Sequence, residues 1–109
     1  MNEYRVTIAW ADDPATVEEH AARLAESFEA RAGEFGPAVG ANLQTGTLEV
    51  TFAFDSAPSI QGLAKRAGEI FAAGALGSGL YSSPDQIDVT RVEVVAVEAE
   101  KRERELQPA

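Results

Sequence analysis

Between Leu48 and Phe54 every second residue is large and apolar: Leu48, Val50, Phe52 and Phe54, separated by Glu49, Thr51 and Ala53. A period of two belongs to a strand with one buried and one outward face. A slip of one residue would turn the whole row over, so burial restricts how this strand can pair. Just upstream, Val39, Ala41 and Leu43 alternate in the same way, and Gly46 lies between the two runs. The pattern predicts a hairpin in which Leu43 faces Leu48, Ala41 faces Val50 and Val39 faces Phe52. The loop is then Thr45-Gly46 alone or Gln44 to Thr47, with Gly46 supplying a positive φ. A phosphate-binding glycine loop would instead follow a strand and open onto a helix N-terminus. Gly36, Gly40 and Gly46 precede and divide two strands, with no Gly-Lys-Ser/Thr among them, and are read as hairpin glycines.

The flanking segments complete the pattern. Tyr4, Val6, Ile8 and Trp10 form a second alternating row. Asp12-Asp13-Pro14 then reads as a helix start, because Asp13 can accept from a free backbone N–H and Pro14 needs no donor in a first turn. Val17, Ala21, Leu24 and Phe28 give residues 14 to 32 an inward helical face, closed by Gly33. Asp55-Ser56-Ala57-Pro58 repeats the helix start, and Ile60, Leu63, Ala64, Ala67, Ile70 and Phe71 form the inward face that follows. Gly62 and Gly68 lie within this helix, each costing up to ~1 kcal/mol relative to Ala, which suggests a backbone in close approach. Gly74, Gly77 and Gly79 loosen its end, and GSGLYSSPD is loop. A last strand runs from about Ile87 to Val97, and its alternation changes phase near Thr90-Arg91, as a bulge would require.

The order strand, helix, strand, strand, helix, strand predicts an α+β, ferredoxin-like βαββαβ sandwich. It has one four-stranded antiparallel sheet with both helices on one face. The first and third strands are expected in the centre and the second at an edge, where Pro37 and Gly40 are tolerated. Residues 1–98 form the single domain and residues 99–109 a charged, solvated tail.

Charge and composition restrict the chemistry. The net charge of -9 opposes binding to a phosphate backbone, and the outward face of the sheet offers Arg5, Thr7, Asn42, Gln44, Glu49 and Thr51 in place of stacking aromatics. No nucleic-acid partner is expected. No apolar run approaches the ~20 residues of a membrane span, and MNEYRVT lacks the features of a secretion signal, so a cytoplasmic protein is expected. With no cysteine and one histidine, neither a metal site nor a cofactor is expected. His20 is beside Glu18 and Glu19 on the flank of the first helix, and nothing in the sequence fixes an orienting partner for it as a general base. Trp10 is in phase with a buried row where the first strand meets the first helix. Together Trp10 and His20 mark the one candidate ligand-binding cleft; no catalytic residue is assigned.

GPAVGANLQTGTLEVTFAFDS, the alanine-rich second helix and RVEVVAVEAE resemble small uncharacterised proteins of high-GC actinobacteria and their phages, a resemblance that implies no activity. The topology also resembles ACT regulatory domains and dimeric small monooxygenases. ACT domains favour a glycine where this chain has Ala11-Asp12-Asp13-Pro14-Ala15, and no monooxygenase catalytic motif matches. Fold alone does not assign function.

A complete fold pattern without an assembled chemical site points to a non-enzymatic interaction or regulatory domain, acting through a protein partner or its own dimer. After the phase change Val95 and Val97 are expected on the open face, where a homodimer could cover them. Two alternatives are a small-molecule-binding protein or small enzyme using the cleft near Trp10 and His20, and an acidic mimic that sequesters a basic nucleic-acid-binding protein. At physiological salt, fluorescence anisotropy should detect no binding to DNA or RNA. Micromolar affinity that falls steeply with salt would contradict this expectation.

Overall fold

The chain folds as β1 (Tyr4–Ala11), α1 (Val17–Ala32), β2 (Ala38–Asn42), β3 (Thr47–Phe54), α2 (Ile60–Gly77) and β4 (Asp88–Ala96), in a computed structural model that describes residues 3–55 and 59–96. The charged tail expected at 99–109 lies outside the described residues. The strands form one antiparallel sheet of order β2-β3-β1-β4, the ferredoxin-like arrangement the periodicity predicts. Tyr4, Val6, Ile8 and Trp10 pair with Phe54, Phe52, Val50 and Leu48 of β3. Seven of these eight residues are buried, Tyr4 partly, and they form the sheet side of the core. α1 packs over β2 and β3, and α2 over β1 and β4.

The hairpin differs from expectation by two residues. Val39 pairs with Val50, Ala41 with Leu48 and Asn42 with Thr47, so the loop is Leu43 to Gly46 and Leu43 is exposed. Asn42 sets this end. Its Oδ1 accepts from the backbone N–H groups of Gln44 and Thr45 at 3.0 and 3.2 Å, and its carbonyl accepts from Gly46 at 2.9 Å. A shift of two keeps every apolar residue on its face, so burial alone cannot distinguish the two registers. Gly46 has φ 72°, as a turn glycine should. A Cβ there would also collide with Asp13 and Pro14, and the Gly46 carbonyl accepts from Asp12 N–H at 2.7 Å. The glycine thus lets the hairpin loop pack against the turn that follows β1.

Both helices begin later than the proline signals suggest. Asp13 does cap free donors: Oδ1 accepts from Ala15 N–H at 2.8 Å, and its carbonyl accepts from Thr16 and Val17. Residues 14–16 form a turn, and regular helix starts at Val17. At the other end Gly33 remains right-handed and leads into a short 3-10 turn; the left-handed residue is Gly36, φ 55°. For α2 the N-cap is Ser59, whose Oγ accepts from Gly62 N–H at 3.0 Å. The expected start at Ser56 to Pro58 lies outside the described residues. With Ser59 as cap, Ile60 points outward and is 65% exposed, contrary to its place in the expected inward row. Leu63, Ala67 and Phe71 are buried as expected.

Gly74 and Gly77 are the α2 glycines that admit neighbours, the Phe28 ring and the Arg31 side chain. A Cβ at Gly68 would meet nothing, whereas one at Gly74 would overlap the Phe28 ring. α2 continues to Gly77, so Gly74 is interior helix. α1 packs closely at Gly74: Phe28 stacks on Phe71, and Ser27 Oγ donates to the Gly74 carbonyl at 2.6 Å. Arg23 of α1 donates to the Ser78 carbonyl at 3.1 Å, a cation at the negative end of α2.

The phase change in β4 is a bulge at Thr90. Ala9 pairs with Arg91 and Trp10 with Val89, so Thr90 is the extra residue; its Oγ1 donates to the Ala9 carbonyl at 3.3 Å.

Urea denaturation should separate these roles. Leu48→Asp should abolish folding or nearly so, by burying a charge, and Gly74→Leu should cost about 1–3 kcal/mol or more through overpacking on Phe28. Leu43→Asp should change stability by no more than ~0.5 kcal/mol; a loss comparable to that of Leu48→Asp would contradict the observed register.

Candidate functional site

The polar side chains that meet inside the fold do so at the end of β1. Trp10 is fully buried in the core, edge-on to Phe71 with ring centroids 4.8 Å apart. Its indole N–H donates to the Tyr81 hydroxyl at 3.0 Å. Two residues on, Asp12 Oδ2 is 2.8 Å from Nδ1 of His20, which projects from the first turn of α1. An ionised carboxylate can only accept, so Nδ1 carries the hydrogen and Nε2 is left for another partner. The Asp12 side chain is 12% exposed and that of His20 25%.

Burial pushes the Tyr81 phenol above its ordinary value of 10.0, and the negative charge of Asp12 pushes it the same way; the hydrogen bond from Trp10 works in the opposite sense. Trp10 is thus bonded to Tyr81 and His20 to Asp12, two separate pairs of which only the charge of Asp12 is felt at Tyr81. The sequence did identify Trp10 and His20 but not the other two. Asp12 had a sufficient explanation in the helix start, and Tyr81 lies in a loop 71 positions from Trp10, with no local pattern to connect them. Trp10 has no exposed surface and supports this corner from inside; His20 is the member that reaches solvent. Among the described residues Nε2 of His20 meets no partner, and such a hydrogen-bonded Asp–His pair can hold and orient a proton acceptor.

The open face of the sheet carries a second polar group. Ala9 is paired with Glu49 on one side and Arg91 on the other, and these two side chains join above it, Nη2 to Oε2 at 3.1 Å. Ala9, between these two larger side chains in the register, is buried on a face no helix covers. Thr7 and Thr51 share a hydroxyl hydrogen bond of 2.9 Å in the next row. Gly40, Asn42, Thr45, Thr47 and Thr90 surround the bridge and bound an open cleft of ≈ 430 Å³. Cross-strand pairs of this kind add a few tenths of a kcal/mol to ~1 kcal/mol of sheet stability, which accounts for the bridge without a ligand.

Val95 pairs with Arg5 on this open face and is partly buried, on the side the sequence predicts; Val97 lies outside the described residues. Val92 and Val94 pair with Ile8 and Val6 and so face the helix side. Val94 packs on the core, but Val92 is 53% and Val89 44% exposed, because β4 is an edge strand that neither helix covers fully. Among the described residues no three potential metal ligands gather, and no helix is long and apolar enough to cross a membrane.

No protein-family model, curated protein or solved structure matches the chain. The fold is therefore established by its own topology, and any function rests on these residues.

The Tyr81 environment gives a pH dependence. Its raised value means the folded chain holds the phenolic proton more tightly than the unfolded chain. This contribution is complete below the ordinary pKa and is lost as pH rises through the folded value. Tyr81→Phe should remove that alkaline loss and, by leaving the buried Trp10 N–H unpaired, should cost about 1–3 kcal/mol near neutrality. Urea denaturation of both proteins at about pH 8 and about pH 11 measures this difference; identical alkaline losses would contradict it.

Proposed function

We propose that this domain is a non-enzymatic interaction or regulatory module that works through a protein partner, foremost a second copy of itself. The carrying observation is β4, a nine-residue edge strand with Val89 and Val92 exposed on the same side. Single exposed apolar residues are ordinary surface. Two on one edge strand, whose outer backbone groups meet no other strand among the described residues, form a surface suited to strand addition. The other edge, β2, has only five residues and follows Pro37, a weaker template. The resemblance to small actinobacterial and phage proteins adds no activity to this reading.

A second reading is favoured by one observation, the Asp12–His20 hydrogen bond with Tyr81 nearby. On that reading the corner binds a small molecule through His20 Nε2, with Trp10 as its buried support.

Light scattering over a concentration series should show the average mass rise from 11.6 kDa toward twice that value. A constant monomer mass at every accessible concentration would remove the self-association reading.

A further inference from the structure

We infer that two copies pair antiparallel along β4 with a two-fold axis at Val92, joining two four-stranded sheets into one of eight strands. This inference rests on the self-association proposed above and specifies its register.

The register follows from parity and charge. Opposed residues in an antiparallel pair project to the same face. A two-fold axis between identical strands then lies perpendicular to the sheet, with both helix layers on one side, and must be centred on a residue. β4 is regular from Arg91 to Ala96 once past the bulge at Thr90. Over that stretch the open face carries Arg91, Glu93 and Val95, and the helix face carries Val92, Val94 and Ala96. Centring on Arg91 would set Arg91 against its own copy, and centring on Glu93 would set Glu93 against Glu93. Both oppose like charges, which is destabilising across strands. Centring on Val94 leaves Glu93 opposite Val95, and centring further along the strand pairs it with no cation. Centring on Val92 sets each Arg91 opposite a Glu93 and brings the two exposed Val92 side chains together.

Several features of the isolated chain agree with this register. Within one copy Arg91 Nε and Glu93 Oε2 lie 4.0 Å apart, with both side chains about half exposed. Arg91 already uses one nitrogen on Glu49, and a guanidinium has further donors for a second carboxylate. The stretch from Arg91 to Ala96 contains neither Lys nor Pro, residues that often guard edges against such pairing. The bulge at Thr90 ends the regular ladder, so the contact is short and the dimer is of moderate affinity.

The test is a mixing experiment followed by sedimentation velocity. Arg91→Glu alone sets the introduced carboxylate against Glu93 twice, and Glu93→Arg alone opposes two arginine pairs. Each should raise the dimer dissociation constant by about tenfold or more. An equimolar mixture should form heterodimers near wild-type affinity, because each mutated residue then meets an opposite charge. Val92→Lys should also disrupt the dimer while leaving the monomer folded by circular dichroism, since Val92 is more than half exposed; it serves if either charge variant fails to fold. A dimer lost on Val95→Lys but indifferent to the charge variants and to Val92→Lys would overturn this register and move the interface to the open face, with self-association intact. Weak single variants whose mixture does not recover would likewise overturn the register. A wild-type chain monomeric up to about 1 mM would overturn the inference together with the reading beneath it.

Discussion

The pairing of β1 on both sides is the constraint on which the rest of the sheet depends. β1 meets β3 along one edge and β4 along the other, and its alternate residues Val6, Ile8 and Trp10 are buried beneath the helices. Because opposed residues share a face, the burial of this row fixes which side of β3 and β4 is inward. β3 passes the same parity to β2 through Val50 and Leu48. The one departure, the bulge at Thr90, lets Val89 and Val92 both face the helix side although they are three residues apart. Without it the charged residues on one half of β4 would turn inward.

The helices respond to that sheet. α1 and α2 approach each other where Gly74 leaves room for Phe28, and the same contact places Ser27 on a backbone carbonyl. With α1 over β2 and β3, α2 alone reaches β4, and it leaves Val89 and Val92 of that strand uncovered. The exposed valines are thus a consequence of helix placement, not an isolated surface accident. Where β1 ends, the following loop is fixed by three polar contacts: Asp12 to Gly46, Asp12 to His20, and Trp10 to Tyr81. The corner that supports the small-molecule reading is therefore also a structural clasp, and that is the reason it ranks second to β4.

Features that depend on a period were legible in the sequence. The alternating rows of β1 and β3 and the bulge at Thr90 follow from which residues must be inside, and the central places of β1 and β3 from the order of the elements they define. Features that depend on competing polar groups were not. The hairpin register moved by two because the Asn42 side chain holds the loop N–H groups, and an even shift is invisible to apolar parity. Ile60 turned outward because Ser59, one residue earlier, supplies the cap. Gly74, not Gly68, admits a neighbour because Phe28 reaches it from another helix. In the candidate site, Trp10 and His20 were visible as residue types; their partners Tyr81 and Asp12 came from tertiary contact, for which a single sequence carries no local signal.

The central claim is that the outer edge of β4 is the surface through which this domain acts. Amide hydrogen exchange followed by NMR at increasing protein concentration addresses it directly, because each backbone donor reports its own opening. The amides of β1 should be strongly protected at every concentration, being paired within one chain. Those β4 amides between Arg91 and Val94 that point away from β1 should exchange rapidly when dilute and become protected as concentration rises. Outward β4 amides whose exchange does not change with concentration would contradict the account.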